Sequence, residues 1–311
     1  MSTTIDRIWK CAKKALPKSG KMCLWLLKII LPISLLVRIL QFSGVLAEIS
    51  NLLSPAFSLI GLPGETAIVF ITSLFTPLYA PIALITSMSL GLREATILAL
   101  MCLVSHNLII ESTIQSKTGS SFWKITVFRV FMSFIIAFSL NMVMPENGWG
   151  QVVITQSAEV CDTIFQVFSL WLVSSLRVIL MILLIVTSLM MLHYILEEFN
   201  LLHRISGFLS PVMIVFGLPK DTAFLWLVGN LVGLAYGGAI MVEQIEQKKL
   251  SLESGRLLNI HLAVSHSLLE DTLIFVVIGV PVLWIIGTRL LFAIMALWIK
   301  RLFNGKWKIE N

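Results

Sequence analysis

The chain has 311 residues, 57% of them hydrophobic and only 13% charged. Soluble domains carry about 25% charged residues, so a water-soluble enzyme is excluded and an integral membrane protein is expected. The net charge of +6 does not point to nucleic acid either. Arg7, Lys10, Lys13, Lys14, Lys18 and Lys21 precede the first apolar run, and Lys300, Arg301, Lys306 and Lys308 follow the last. Basic flanks of this kind stay inside, which places both termini in the cytoplasm of a multi-pass protein of the plasma (inner) membrane.

Residues 1–21 read as a basic cytoplasmic segment and 22–42 as the first crossing, which is too long for a cleaved signal. Residues 45–59 form a short amphipathic segment at the outer interface. The stretch 54–67, SPAFSLIGLPGETA, ends one helix and begins another. Gly61 suits the left-handed position just past a helix, Pro63 suits a first turn, and Glu65 meets a helix N-terminus. The stretch returns at 210–223 as SPVMIVFGLPKDTA, shifted by 156 (210 − 54), with Ser, Pro, Gly, Leu, Pro, Thr and Ala in register. The chain is a duplication.

After the first Gly-Leu-Pro turn, the run 65–90 is interrupted by Thr76-Pro77-Leu78-Tyr79-Ala80-Pro81, where two prolines forbid an unbroken helix. Each arm is about half a bilayer long, so a re-entrant hairpin fits. The run 94–114 then descends to a loop with Lys117 and Lys124, and 122–144 rises again. The connector 145–166, with Glu146, Glu159 and Asp162 and no Lys or Arg, is external. The second half, 167–303, then runs upside down. Residues 167–197 descend, 201–215 lie at the inner face, and a hairpin broken by glycines between Gly229 and Gly238 follows. Runs 254–277 and 281–303 complete it, and 304–311 form a cytoplasmic tail. The expected fold is all-α and polytopic: two inverted repeats, 22–144 and 167–303, each with about three transmembrane helices, an interfacial helix and a re-entrant helical hairpin. A parallel duplication with four spans per half is the alternative, and it would put the acidic connector inside.

Ionisable residues at membrane depth mark functional sites by default. A second matched block holds Ser105-His106-Asn107 and Ser265-His266-Ser267, now shifted by 160 (266 − 106), with both histidines near the middle of their helices. The match extends to Glu111 with Asp271 and to Arg129 with Arg289. Acid and arginine are 18 residues apart in each half (129 − 111; 289 − 271) with a turn midway, so each pair meets at similar depth as a buried ion pair. Proton or cation coupling through Glu111 or Asp271 is the functional alternative. Glu270 has Ile110 as its counterpart and marks an asymmetry. At the hairpin tips Thr76, Tyr79, Asn230 and Tyr236 offer polar groups, although Gly229 and Gly233 also fit a close-packed face. Substrate contacts are therefore expected at His106, Asn107, His266, Ser267, Thr76, Tyr79, Asn230 and Tyr236.

No phosphate loop, dinucleotide fingerprint, HExxH or nucleophile elbow occurs, so no catalytic residue and no enzyme activity are expected. Cys11, Cys23, Cys102 and Cys161 show no CxxC spacing, and neither a structural metal site nor a cofactor is expected, apart from Na+ or H+ as a coupling ion.

The doubled Gly-Leu-Pro turn, followed by a broken helix and then Ser105-His106-Asn107 or Ser265-His266-Ser267, resembles the nucleoside-recognition (Gate) membrane domain family. The resemblance runs from about Trp25 to Phe303. It implies helical hairpins at a central solute pathway and a transport function without fixing the substrate. The leading expectation is a secondary transporter of a small polar solute, nucleoside-like or an organic anion, by alternating access around the two hairpin tips. The alternatives are a divalent-metal permease using His106, His266, Glu111 and Asp271, or a non-transporting assembly protein of spore-maturation type. Expected partners are the solute or ion and the lipid bilayer, with no nucleic acid; homo-oligomerisation is left open.

Overall fold

The structure is a computed structural model that describes residues 4–88, 90–146, 150 and 163–303. Most of the expected external connector and the whole 304–311 tail lie outside the described residues. Among the described residues the regular elements are all helical, and they form one series twice. The first series is α1 (Thr4–Phe42), α2 (Val45–Ser58), a 3₁₀ turn at Gly64–Thr66, α3 (Ala67–Phe75), α4 (Tyr79–Ile85), α5 (Leu92–Ser105), α6 (Leu108–Lys117) and α7 (Phe122–Val143). The second is α8 (Ile164–Glu198), α9 (Leu201–Val215), a 3₁₀ turn at Lys220–Thr222, α10 (Ala223–Leu231), α11 (Leu234–Glu246), α12 (Leu252–Ser265), α13 (Leu268–Val277) and α14 (Val282–Phe303). The basic segment from Thr4 and the first apolar run lie in one helix of 39 residues.

The repeated motif folds the same way in both halves. Gly61 (φ 73°) and Gly217 (φ 77°) take the left-handed conformation that stops a helix. Leu62 N–H donates to Phe57 O (3.0 Å) and Gly61 N–H to Ser58 O (3.0 Å), and Leu218 and Gly217 repeat the pattern on Met213 O (2.8 Å) and Ile214 O (2.9 Å). This crossed pair satisfies the last carbonyls of α2 and α9. Leu62 and Leu218 are buried as plugs beneath the turns. The Thr66 and Thr222 hydroxyls, each 2.7 Å from the carbonyl of the motif's second proline, close the following 3₁₀ turns. The matched residues are thus the stop, the plug, the rigid corner and the restart of one helix-to-helix junction.

Equivalent helices run antiparallel. Arg7 meets Glu198, Cys11 meets Tyr194 and Ser19 meets Thr187, so α1 and α8 cross-link along their length in opposite directions. Lys124 at the start of α7 and Lys300 at the end of α14 line one cavity. The end of α7 presents Asn141 to the first Gly-Leu-Pro turn, with Asn141 Nδ2 3.4 Å from Leu59 O. The end of α14 holds the second, through Arg301 Nε on Gly217 O (2.7 Å) and Trp298 Nε1 on Val215 O (3.0 Å). The two turns therefore sit at opposite ends of the bundle.

Burial sorts the helices into an inner and an outer set. From Ala95 to Ser105 every residue of α5 is buried, and α12 is nearly as enclosed. From Ile97 to Val104 α5 has no polar residue at all, as suits a helix surrounded by protein. By contrast α7, α8 and α14 expose Phe131, Phe138, Val173, Leu184, Leu283 and Leu291. Apolar outer faces of this extent suit lipid rather than water. Three helical stretches among the described residues are long and apolar enough to cross a membrane: Phe122–Val143, Leu252–Val277 and Val282–Phe303. The α5–α6 pair, bent by 41°, makes a fourth if taken as one span.

In the second hairpin the chain doubles back tightly. A Cβ on Gly237 of α11 would stand 3.1 Å from the Gly229 Cα of α10. The close-packed glycine pair is therefore Gly229 with Gly237, while Gly233 (φ 103°) makes the turn between the arms. On its far side α11 meets the first half, where a Cβ on Gly238 would stand 2.2 Å from Ile114 Cγ2 of α6.

Candidate functional site

The two histidines do not lie within continuous helices, as the apolar runs suggested. Each stands at a break. His106 is extended (φ −66°, ψ 159°) and Asn107 left-handed (φ 47°); His266 (φ −58°, ψ 158°) and Ser267 (φ 52°) repeat this. Neither break contains a glycine or proline, so the local sequence carries no conventional signal for it. Tertiary partners hold it instead. Asn107 N–H donates to Ser73 O and Ser267 N–H to Gly229 O, both at 2.9 Å. Ser73 and Gly229 are themselves equivalent under the 156-residue shift (229 − 73). Each broken helix is thus docked through one backbone N–H onto the first arm of its own hairpin.

A helix break at membrane depth strands carbonyls on one side and N–H groups on the other, at about 1–3 kcal/mol for each buried group left unpaired. The arginines answer the carbonyls. Arg129 Nε donates to Val104 O (2.8 Å) and its Nη2 to His106 O (2.9 Å). Arg289 Nε donates to Val264 O (2.9 Å) and its Nη2 to His266 O. Glu111 and Asp271 occupy the first turns of α6 and α13, where a helix N-terminus favours negative charge. The acids face the same arginines, Glu111 Oε2 2.6 Å from Arg129 Nη2 and Asp271 Oδ2 3.6 Å from Arg289 Nη2. Each acid–arginine pair therefore serves a helix break as well as joining two helices. Both arginines are fully buried.

The two breaks meet. The His106 and His266 rings lie 5.2 Å apart at 31°, and Glu111 lies between them. His106 Nε2 is 3.2 Å from Glu111 Oε1, and His266 Nε2, from the other half of the chain, is 3.0 Å from Glu111 Oε2. The opposite ring nitrogens fix the chemistry. His266 Nδ1 is 2.7 Å from Leu262 O, and His106 Nδ1 is 3.2 Å from Cys102 O and Leu103 O. A carbonyl only accepts, so Nδ1 carries the hydrogen in each ring and a neutral ring turns a bare Nε2 toward Glu111. Lone pairs of nitrogen and carboxylate at 3.0 Å repel unless a proton or a cation lies between them.

The remaining expected site residues are spread around this centre. Tyr79 is buried and its hydroxyl lies 3.4 Å from Glu270 Oε1, joining α4 to α13 across the two halves. Thr76 is buried and its hydroxyl bonds Thr72 O (2.8 Å). Asn230 is buried, donates to Trp226 O (2.9 Å), and leaves Oδ1 without a hydrogen-bond partner among the described residues. Tyr236 is not part of the cluster; it is exposed and packs edge-on against His193 of α8, with centroids 5.4 Å apart. A methyl on Gly233 would stand 3.4 Å from Ser267 Oγ, which places that hydroxyl at the second hairpin tip.

Three polar residues escaped sequence reasoning. His261 is fully buried, 2.8 Å from Ser265 Oγ and accepting from Trp226 Nε1 (3.2 Å). Its counterpart under the 160-residue shift is Met101, so the repeat gave no hint. Asn259 and Gln115 each donate a side-chain amide to the other's main-chain carbonyl, Gln115 Nε2 to Asn259 O (2.8 Å) and Asn259 Nδ2 to Gln115 O (3.1 Å), and so tie the end of α6 to α12. Their signal, an amide in an otherwise apolar run, was present but shared with many residues.

A doubled helical unit with apolar outer helices, paired hairpins and two broken helices crossing at buried ionisable groups defines a polytopic membrane protein. A family model described as nucleoside recognition (Gate) matches residues 23–119. The uncharacterized membrane protein YvoD of Bacillus subtilis (strain 168) is 32% identical over 294 residues, covering 93% of this chain and 94% of that protein. The chain belongs to the nucleoside-recognition (Gate) family of membrane proteins. No solved structure matches it.

Proposed function

We propose that the protein is a secondary transporter of a small polar solute, nucleoside-like or an organic anion, in the plasma membrane, with both termini cytoplasmic and with H+ as coupling ion. The observation that carries the proposal is the Glu111 carboxylate lying within 3.2 Å of His106 and 3.0 Å of His266, because it links the two halves through a contact that needs a proton. With the proton present the halves are held together at the crossing. Without it, a carboxylate faces two lone pairs, and the contact between halves becomes repulsive. Antiparallel α1 and α8, and Gly-Leu-Pro turns at opposite ends, support repeats inverted across the membrane, the architecture in which one unit rocks against the other around a central site. Buried Arg129 Nη1, Arg289 Nη1 and Asn230 Oδ1 have no hydrogen-bond partner among the described residues, and such unfilled capacity suits an anionic or hydrogen-bonding solute.

The second reading, a divalent-metal permease, rests on ligand atoms of His106, His266 and Asp271 lying within 4.8 Å of one another. Charge weighs against it. Arg129 and Arg289 stand against Glu111, Asp271 and Glu270 (2 − 3 = −1), so a dication would leave +1 buried beside two guanidinium groups, whereas a proton leaves the centre neutral. Uptake into proteoliposomes of a panel of nucleosides, organic anions and divalent metals, with and without an inward proton gradient, separates the readings. Gradient-stimulated uptake of a nucleoside or organic anion, lost in Glu111→Gln, is the expected result. Metal uptake, with metal raising the melting temperature of wild type but not of His266→Ala, would replace it with the permease. No flux of any panel member would favour an assembly role without a pathway. Lys117→Cys and Val277→Cys, each in a background lacking the native cysteines, test inversion: labelling from opposite faces is expected, and labelling from one face refutes it.

A further inference from the structure

Away from the histidine centre, α7, α12 and α14 border a half-open cavity of about 570 Å³. Three cations line it, one from each helix: Lys124, Arg256 and Lys300. No carboxylate is among the described residues that line it; Glu253, three residues before Arg256 on α12, lies near enough to attract Lys300. Arg256 is held there by its Nε, which donates to Gly119 O at 2.7 Å. The N-terminus of α7 opens at the same place, with Ser121 as an N-cap whose side chain makes no capping bond. The free N–H groups of that first turn add to the attraction for an anion. Below the charges the walls are apolar, with Ile125, Phe128, Ile260 and Ile299.

The duplication supplies an internal control. Under the 160-residue shift Lys124, Arg256 and Lys300 correspond to Trp284, Thr96 and Leu140 (124 + 160, 256 − 160, 300 − 160). The equivalent positions at the other end of the bundle therefore carry none of the three cations. A charge set that the fold does not require, present at one end only, points to a ligand found on one side of the membrane.

We propose that this cavity binds the phosphate diester of an anionic phospholipid, with the three cations on the headgroup and the apolar wall along the upper acyl chain. Clefts of this kind between transmembrane helices on the basic side take anionic headgroups, and each basic side chain near the surface strengthens the attraction. A lipid seated here would bridge α7 of the first half to α12 and α14 of the second, so its binding is linked to the relative position of the halves.

The test uses the full chain in neutral detergent, with phosphatidylglycerol, phosphatidylcholine and inorganic phosphate as probes and native mass spectrometry and thermal stability as readouts. Wild type should retain phosphatidylglycerol over phosphatidylcholine. The double variant Lys124→Gln, Lys300→Gln should keep the wild-type melting temperature without lipid and bind phosphatidylglycerol about 30-fold more weakly. Equal retention of the two lipids, or unchanged phosphatidylglycerol affinity in the variant, would overturn the proposal. Saturable inorganic phosphate that displaces phosphatidylglycerol would also overturn it, assigning the cavity to a soluble phosphate. A double variant that fails to fold is replaced by Lys124→Gln alone, for which about a fivefold loss is expected.

Discussion

Replacing Arg129 by Met is the most informative single change in the fold. The substitution keeps an apolar stem of similar length but removes the guanidinium from a fully buried position. Val104 O and His106 O lose their donors, and Glu111 Oε2 loses its partner at 2.6 Å. Stranding one member of a buried ion pair costs about 3–5 kcal/mol, and each buried carbonyl left unpaired adds about 1–3 kcal/mol. These costs share one side chain and overlap, so a net loss of about 5 kcal/mol is expected. At about 2–4 °C per kcal/mol for chains of a few hundred residues, the melting midpoint in detergent should fall by about 10–20 °C. The double variant Arg129→Met, Glu111→Met removes the stranded charge while leaving the carbonyls unpaired, and should melt well above the single variant. A single-variant loss below about 1 kcal/mol, or a double variant no better than the single, would refute this view of the arginines.

Three further outcomes follow from the packing and the charges. Gly237→Ala places a Cβ 3.1 Å from the backbone of Gly229, where nothing can yield cheaply, so it should open the second hairpin at a cost of about 1–3 kcal/mol, read by chemical unfolding. Gly238→Ala instead meets only the Ile114 side chain, and adding Ile114→Ala should restore its stability. Asn107→Gly should leave stability nearly unchanged, because Asn107 is left-handed at φ 47°, whereas Asn107→Val should cost about 1–2 kcal/mol. At the N-terminal end of α1, where it meets the end of α8, the hydrogen bond from Arg7 holds the exposed Glu198 carboxyl below its ordinary value of 4.5. A lowered carboxylate contributes stability above its unfolded value and loses it as pH falls through the folded one. The stability difference between wild type and Arg7→Ala should therefore persist near neutrality and vanish in acid below that range; a difference that grows in acid would contradict the assignment.

The helix junctions were legible in the sequence because they rest on local chemistry. Gly61, Pro63, Gly217 and Pro219 fix backbone angles by themselves, and they turn where expected. The breaks at His106 and His266 were not legible, because they depend on the carbonyls of Ser73 and Gly229 and on arginines 23 residues away. The acid–arginine spacing indicated that Glu111 and Arg129 are neighbours, but not that Arg129 also serves the carbonyls of α5. Nor did it indicate that Glu111 would reach His266, since that contact depends on how the halves cross. Tyr236 shows the converse limit. Its place beside the hairpin glycines was right, and its direction, set by packing on His193, was invisible.

The claim that a proton is held between the halves is tested most directly by ¹⁵N NMR of the two histidines. Histidine-labelled protein with His193, His203 and His261 replaced leaves His106 and His266 as the labelled histidines of the chain's five. Near neutral pH both rings should carry hydrogen on Nδ1, with at least one Nε2 also protonated, and in Glu111→Gln that Nε2 proton should be lost. Two neutral rings with hydrogen on Nδ1 and both Nε2 atoms bare would contradict the claim.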